Sequence, residues 1–283
     1  MESSPKTLKV GNRLLSLEKP LLMGILNYTS DSFFDGGKYH SVDEATKQCG
    51  ILLDQGADII DLGANSSRPG SIPLDPNMEL DALMPVVEAL FKSFPDLLLS
   101  VDTFRAQVAR ECIQHGAQII NDISAGDDDP EMLSVIANTQ ATYIAMHKQG
   151  STTEMQNNPQ YEDVVSDVAE YFTHKSDIFK KFGIEDYIID LGFGFGKTVA
   201  HNYELLHRMR EFKVLFRKPI LVGISRKSMI NRVLGISPKD ALNGTSVLNT
   251  VAVLNGADIL RVHDVKEARE VVDLLQAYNY KKS

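Results

Sequence analysis

Eight short apolar runs in this sequence end on, or are followed within a few residues by, a polar side chain able to do chemistry. In chain order these are Asn27, Asp61, Asp102, Asn121, His147, Asp190, Arg226 with Lys227, and Arg261 with His263. Asp102, Asn121 and Asp190 are planar acceptors and donors that match the edge of an aminopyrimidine: a carboxylate takes two parallel N–H bonds, and an amide offers one of each kind. Arg68, Lys227, Arg261 and His263, with the hydroxyls of Ser66, Ser67 and Ser228, offer a fork, a point charge and hydrogen bonds suited to phosphoryl oxygens. One such residue alone has an ordinary explanation. Asp61 or Asp102 can cap a helix, Asn121 can satisfy loop amides, His147 can belong to a turn, and Arg226 can be a solvated basic turn residue.

Recurrence at the ends of successive runs is what a single pocket built from many strand ends requires. The runs themselves read as strands at 21–26, 58–62, 97–101, 118–122, 142–146, 187–190, 220–224 and 258–262. Helix-period segments separate them, at about 42–55, 80–92, 104–115, 130–138, 161–182, 201–213, 239–255 and 265–278. Runs that are apolar throughout indicate parallel strands covered on both faces. Eight βα units, with Gly56, Gly116, Gly183 and Gly256 closing helices just before strands, predict a (βα)8 barrel with a short N-terminal extension before its first strand. A chain of 283 residues is close to the roughly 250 of a typical barrel, so one domain over 1–283 is expected.

Composition narrows the function classes. A net charge of −9 without a basic run speaks against a nucleic-acid surface. No apolar run reaches the roughly 18 residues of a membrane span, the start MESSPKTLKVGNRL has no apolar signal region, and the two cysteines, Cys49 and Cys112, both fall in helical patterns. A cytoplasmic, reducing location is therefore expected. Two polar loops, 27–41 and 63–75, are long for a compact barrel and suit lids over a site. The glycine-rich LGFGFGKT at 191–198 fits neither common phosphate template: Leu191 stands where a Walker loop needs glycine, and Lys197 where a dinucleotide fingerprint does. Its glycines suit close approach to a flat ligand, with Phe193 and Phe195 either walling the pocket or packing in the core.

With these residues in view, the sequence resembles the dihydropteroate synthase family of pterin-binding barrels. The stretches that carry the resemblance are ILNYTSDSFFDGG (25–37), DLGANSSRPG (61–70), SVDTF (100–104), NDIS (121–124), MHKQG (146–150), IDLGFGFGK (189–197), VGISRKS (222–228) and RVHDV (261–265), in family order and at family spacing. The resemblance implies transfer of a dihydropterinylmethyl group from its diphosphate to 4-aminobenzoate, with sulfonamides as inhibitors, Mg2+ as cofactor and a homodimer as the assembly. It further implies that Asp61, Asp102, Asn121, Asp190 and Lys227 serve the pterin, and that Asn27, Arg68, Arg261 and His263 hold the diphosphate. Asn27 would also lie near Mg2+, while Phe33, Ser67, Pro69, Phe195 and Ser228 would shape the aminobenzoate site. In the family, C–O cleavage is thought to run largely ahead of attack by the arylamine, so that Asp102 and Asp190 face a pterin methylene cation. Ser30, Ala64, Ser67 and Leu191 depart from the usual family pattern, which bears on loop stiffness and drug affinity. Two rival readings are a pterin-dependent methyltransferase acting with a corrinoid protein and a non-enzymatic pterin-binding barrel. The methyltransferase has no evident need of the anion clamp formed by Arg68, Lys227, Arg261 and His263, and the non-enzymatic barrel would have lost one of its members.

Overall fold

A computed structural model describes residues 6–28, 41–64, 74–150 and 159–278 of the chain. It opens with an antiparallel hairpin, β1 (Thr7–Val10) and β2 (Arg13–Ser16). An eight-stranded parallel barrel follows, formed by β3 (Leu21–Asn27), β4 (Ile59–Gly63), β5 (Leu99–Asp102), β6 (Ile119–Asp122), β7 (Thr142–Met146), β8 (Tyr187–Asp190), β9 (Ile220–Val222) and β10 (Ile259–Val262). The strands pair in sequence order, and β10 closes on β3. The helices between and after them are α1 (Val42–Asp54), α2 (Pro76–Ser93), α3 (Ala106–Gln114), α4 (Met132–Thr139), α5 (Val164–Lys181), α6 (Val199–His207), α7 (Met209–Phe216), α8 (Ser228–Leu234), α9 (Leu242–Leu254) and α10 (Val265–Tyr278). This is the (βα)8 fold expected from the sequence.

Two expectations need correction, and the expected N-terminal extension takes a definite form. The helix foreseen from residue 80 begins at Pro76, because Asp75 caps it by accepting a 2.9 Å bond from the Asn77 amide and Pro76 supplies a preset φ at the first turn. The helix foreseen over 201–213 is two helices, α6 and α7, which meet at Arg208. That residue leaves the helical region (φ −97°, ψ 12°), and its guanidinium bonds Glu204, Glu211 and Asp163. The N-terminal extension is an ordered hairpin that plugs the barrel floor. Leu8 and Val10 pack with Leu21, Met23, Ile59, Leu98, Ile119, Ile144, Ile188, Leu221 and Ile259, and Thr142 Oγ1 donates to the Lys9 carbonyl at 2.8 Å.

Two cores result from the alternation of side chains along each strand. Outward residues such as Ile60, Leu99, Val101, Ile120, Ile189 and Leu260 pack under the helices. Inward residues form the floor, and two positions further along the same strand the inward place is polar: Ile59 leads to Asp61, Ile119 to Asn121, Ile188 to Asp190 and Ile259 to Arg261. The pairing register sets Asp61 opposite Ser100 and Asp102 opposite Asn121, so these groups stand at nearly one level above the apolar floor. Asp122, next to Asn121, points the other way. Buried outside the barrel, it accepts from Tyr143 Oη (2.7 Å), from the Ser124 hydroxyl and amide (2.7 Å each) and from the Gly126 amide (2.8 Å).

Since the hairpin touches only the floor, its effect on the opposite mouth should be small. Leu8→Ala is expected to lower unfolding free energy by about 2–3 kcal/mol, the lower part of the range for a buried leucine truncation. Turnover per folded molecule should stay unchanged. Urea melts and active-site titration check this, and a fall in turnover with no change in the melt would count against a purely structural plug.

Candidate active site

At the C-terminal mouth of the barrel, four strand ends are tied together by one arginine. Arg261 at the end of β10 donates from Nε to Asp61 Oδ2 (2.6 Å) and from Nη2 to Asp102 Oδ2 (2.7 Å), and Asn121 Nδ2 donates to the same Asp61 oxygen at 3.1 Å. Asp61 is fully buried, and its Oδ1 has no partner among the described residues. It caps no helix, and Asn121 serves Asp61 rather than loop amides. Asp102 is pushed up to about 7, chiefly because it is buried, with Arg261 pulling the other way. Its carboxylate is thus held close to the balance between charged and neutral forms.

Asp190 ends β8 on the same level and is also raised by burial, with Lys227 opposing the shift. Its Oδ1 accepts from the Gly192 amide at 2.8 Å, which fixes the carboxylate at the start of the glycine-rich turn. Lys227, which precedes α8, donates to the Phe193 carbonyl at 2.6 Å and lies 4.7 Å from the centre of the Phe195 ring. Burial lowers its pKa to about 8. A side chain at Gly223 would lie 3.8 Å from both Lys227 Nζ and Arg261 Cβ, so this glycine leaves the space between the two cations open.

The two phenylalanines of the turn take different parts. Phe193 is wholly buried in the main core, whereas Phe195 joins Ile123, Met146 and Phe104 in a small cluster of its own beneath Lys227. His263 stands at the rim. Its Nδ1 faces the Ser225 hydroxyl at 3.0 Å, and its pKa is pushed down to about 4, first by the packing around it and then by Arg261. Ser228 is exposed at the first turn of α8, and Asn27 is exposed at the end of β3, paired in register with Gly63.

Arg226 is not part of the mouth, and its guanidinium is only partly exposed. With φ at +57° it turns away and donates to Asp264 (2.7 and 2.9 Å) and to the Pro238 and Lys239 carbonyls, fastening the β9 loop to the segment after β10. Phe33, Ser67, Arg68 and Pro69, and most of both long loops, lie outside the described residues. One residue that matters locally was overlooked in the sequence, where Lys197 served only to reject a motif. Its ammonium is buried against His147 Nδ1 (2.8 Å) and the carbonyls of Gly192 (3.0 Å) and Phe195 (3.1 Å). A lysine closing a glycine-rich turn was the available signal. Its acceptors, mostly backbone, have no signature in residue types.

The pocket therefore offers buried hydrogen-bond acceptors beside cationic donors, the arrangement needed for a polar flat ring carrying an anionic substituent. Comparison with known proteins agrees. Residues 23–263 match the family described as pterin binding enzyme. The chain is 43% identical over 265 residues to the dihydropteroate synthase of Escherichia coli K12, covering 93% of each. It is also similar to two solved structures. The Yersinia pestis dihydropteroate synthase in complex with a sulfonamide drug has a TM-score of 0.90 at 40% identity, over 96% of this chain and 98% of that one. The Xanthomonas albilineans dihydropteroate synthase with 4-aminobenzoic acid has a TM-score of 0.90 at 35% identity, over 99% and 100%. Barrel, mouth chemistry and full-length similarity lead to one conclusion: the chain belongs to the dihydropteroate synthases of the pterin-binding enzyme family.

Proposed function

We infer that this chain transfers the 7,8-dihydropterin-6-ylmethyl group from its diphosphate to the amine of 4-aminobenzoate, releasing pyrophosphate. The observation that carries the reading is the convergence of Asp61, Asp102, Asn121 and Asp190 with Lys227, Arg261 and His263 on one barrel mouth. Incubating the protein with 6-hydroxymethyl-7,8-dihydropterin diphosphate, 4-aminobenzoate and Mg2+ should give dihydropteroate and pyrophosphate in equal amounts. Pyrophosphate without dihydropteroate would defeat the assignment.

Asp102 and Asp190 accept the paired N–H donors of the pterin, with Asn121 and Asp61 completing the edge and Lys227 donating to a ring acceptor. The burial that raises both aspartates supports this, because N–H donors stabilise the charged form that burial disfavours. Arg261 keeps Nη1 for a phosphoryl oxygen while Nε and Nη2 hold Asp61 and Asp102. His263, neutral and with Nδ1 turned to Ser225, presents Nε2–H to the leaving group as a hydrogen bond. Arg68, outside the described residues, is assigned to the same diphosphate by the family resemblance. The arylamine is neutral near pH 7, so attack needs no strong base; what must be stabilised is charge gathering on the departing diphosphate. Phe195 and Ser228, with Phe33, Ser67 and Pro69, form the aminobenzoate slot.

Among the described residues no three His, Cys, Asp or Glu side chains gather to hold a metal. An exposed amide at Asn27 on the rim fits an ion that arrives largely coordinated by water and substrate phosphate. Bound there, Mg2+ would supply neutralising charge to the pyrophosphate leaving group. A homodimer belongs to the same proposal, supported by the exposed apolar side chains of Val214 and Leu215 on α7 and of Leu254 at the end of α9. No helix among the described residues is long and apolar enough to cross a membrane, which agrees with the cytoplasmic location we propose.

Two outcomes are expected from these assignments. Arg261→Ala should lose binding of the diphosphate substrate far more than binding of hydroxymethylpterin. It should also lower stability by about 3–5 kcal/mol, because Asp61 is left buried without its cation. Calorimetry and urea melts check both parts, and equal losses for the two ligands would sink the diphosphate role.

The second concerns protons. In the free protein Asp102 titrates at about 7, and N–H donors from the ligand must pull it lower, so hydroxymethylpterin binding near pH 7 should release a proton. Release should fade above the free value, where the group is already ionised, and below the bound value, where it stays protonated in both states. Calorimetry at pH 7 in buffers of different ionisation enthalpy reads it directly. An enthalpy independent of buffer for wild type, or one equally dependent in Asp102→Asn, would place the proton elsewhere.

A further inference from the structure

Lys197 is only 4% exposed, yet among the described residues no carboxylate bonds its ammonium. Its hydrogens go to His147 Nδ1 at 2.8 Å and to the carbonyls of Gly192, Phe195 and His147 at 3.0, 3.1 and 3.4 Å. Burial lowers Lys197 to about 7, and burial with the charge on Lys197 holds the His147 ring neutral, so that the ring accepts. An ammonium removed from water is costly unless its donors are used, and here they are used on the His147 ring and on the backbone of two segments, one after β7 and one after β8.

Those segments meet at closest backbone approach. Gly192 has φ +66°, and a Cβ on it would fall 1.8 Å from the His147 carbonyl oxygen. Tyr161 Oη donates to the Gly196 carbonyl at 2.9 Å and ties the far side of the turn. The clamped turn then makes three contacts on its other face. The Gly192 amide holds Asp190 at 2.8 Å, the Phe193 carbonyl holds Lys227 Nζ at 2.6 Å, and the Phe195 ring lies 4.7 Å from that same nitrogen. Among the described residues, these three polar and ring contacts involve two side chains of the mouth, Asp190 and Lys227.

We propose that Lys197 is a positioning residue for pterin recognition, setting the 192–195 turn that in turn fixes where Asp190 and Lys227 stand, without itself touching the ligand. The inference rests on the assignment of those two residues to the pterin. A lysine that merely stabilises the loops would act on folded yield and melting temperature. A positioning lysine must act on pterin affinity, and through Lys227.

The test is a double-mutant cycle on full-length protein, with the dissociation constant of 6-hydroxymethylpterin and the number of sites measured by calorimetry for wild type, Lys197→Met, Lys227→Met and the double variant. Lys197→Met keeps the stem and removes the donors. It should weaken pterin about 10-fold or more at unchanged stoichiometry, the size of a lost polar contact in a dry site. In the Lys227→Met background the same change should cost clearly less, because part of what it disturbs is already gone. Equal fold-losses in both backgrounds, or unchanged affinity in Lys197→Met, overturn the positioning role. Unchanged affinity in Lys227→Met alone overturns the pterin assignment of Lys227 and the inference with it, so the two failures are distinguishable. Should Lys197→Met not accumulate as folded protein, His147→Leu removes one acceptor of the clamp and enters the same cycle under the same criteria.

Discussion

The bridge from Arg261 to Asp61 and Asp102 is the constraint on which the mouth of this barrel depends. One guanidinium at the end of the last strand spans to the second and third barrel strands, and Asn121 extends the link to the fourth. A lysine could not replace it, because two carboxylates at fixed positions on separate strands need a planar fork with separate donors. Buried ion pairs of this kind give little net stability, since desolvation offsets most of the attraction. Their use here is geometric: acceptor edges are held at one height at the barrel mouth.

That height is set by the strands before any side chain contributes. With inward positions recurring every second residue, a register slip of one would turn Asp61, Asn121 and Asp190 towards the helices and bring Ile60, Ile120 and Ile189 into the mouth. Asp122 marks the boundary of this rule. It adjoins Asn121 in sequence and is equally buried, yet it faces outward and spends its oxygens on Tyr143, Ser124 and Gly126. Beneath the polar level lies an unbroken apolar layer sealed by Leu8 and Val10. This layer contributes stability that the charged level does not, and it separates the groups that fold the barrel from those assigned above to the ligand.

The sequence made the barrel legible because eight apolar runs ended in chemistry at the same phase, a pattern that alternation and parallel pairing convert directly into geometry. Strand and helix bounds were legible to within a few residues, except where the deciding interaction lay off the periodic pattern: the Asp75–Pro76 cap, the break at Arg208 and the hairpin at the floor. In the mouth, residue types identified Asp102, Asn121, Asp190 and Lys227 as chemical groups, but their partners were not legible, because Asp61 and Arg261 lie 200 positions apart. Arg226 and Lys227 show the same difficulty between neighbours. Adjacent cations go to opposite sides because Arg226 has a positive φ and a carboxylate, Asp264, waiting beyond the barrel. Lys197 was illegible for a different reason, since three of its four acceptors are backbone carbonyls, which any sequence possesses.

The mouth is a strained electrostatic arrangement, and that strain has a direction. Asp102 and Asp190 are raised, Lys227 is lowered, and Asp61 keeps one buried oxygen without a donor among the described residues. Each departure comes from burial acting against a charge, so each is relieved by a ligand that brings the complementary group: N–H donors for the carboxylates, an acceptor for the ammonium. A ring offering both kinds on one edge relieves several at once. Selectivity for such a ring then follows from leaving a mismatched one to bear the same penalties unrelieved, which discriminates more sharply than any single added contact. On the pterin assignment proposed above, the carboxylates so charged by the ligand would face the methylene carbon on which positive charge builds as the diphosphate departs. Relief of ground-state strain in binding and stabilisation of charge in the reaction would then be two uses of the same buried aspartates.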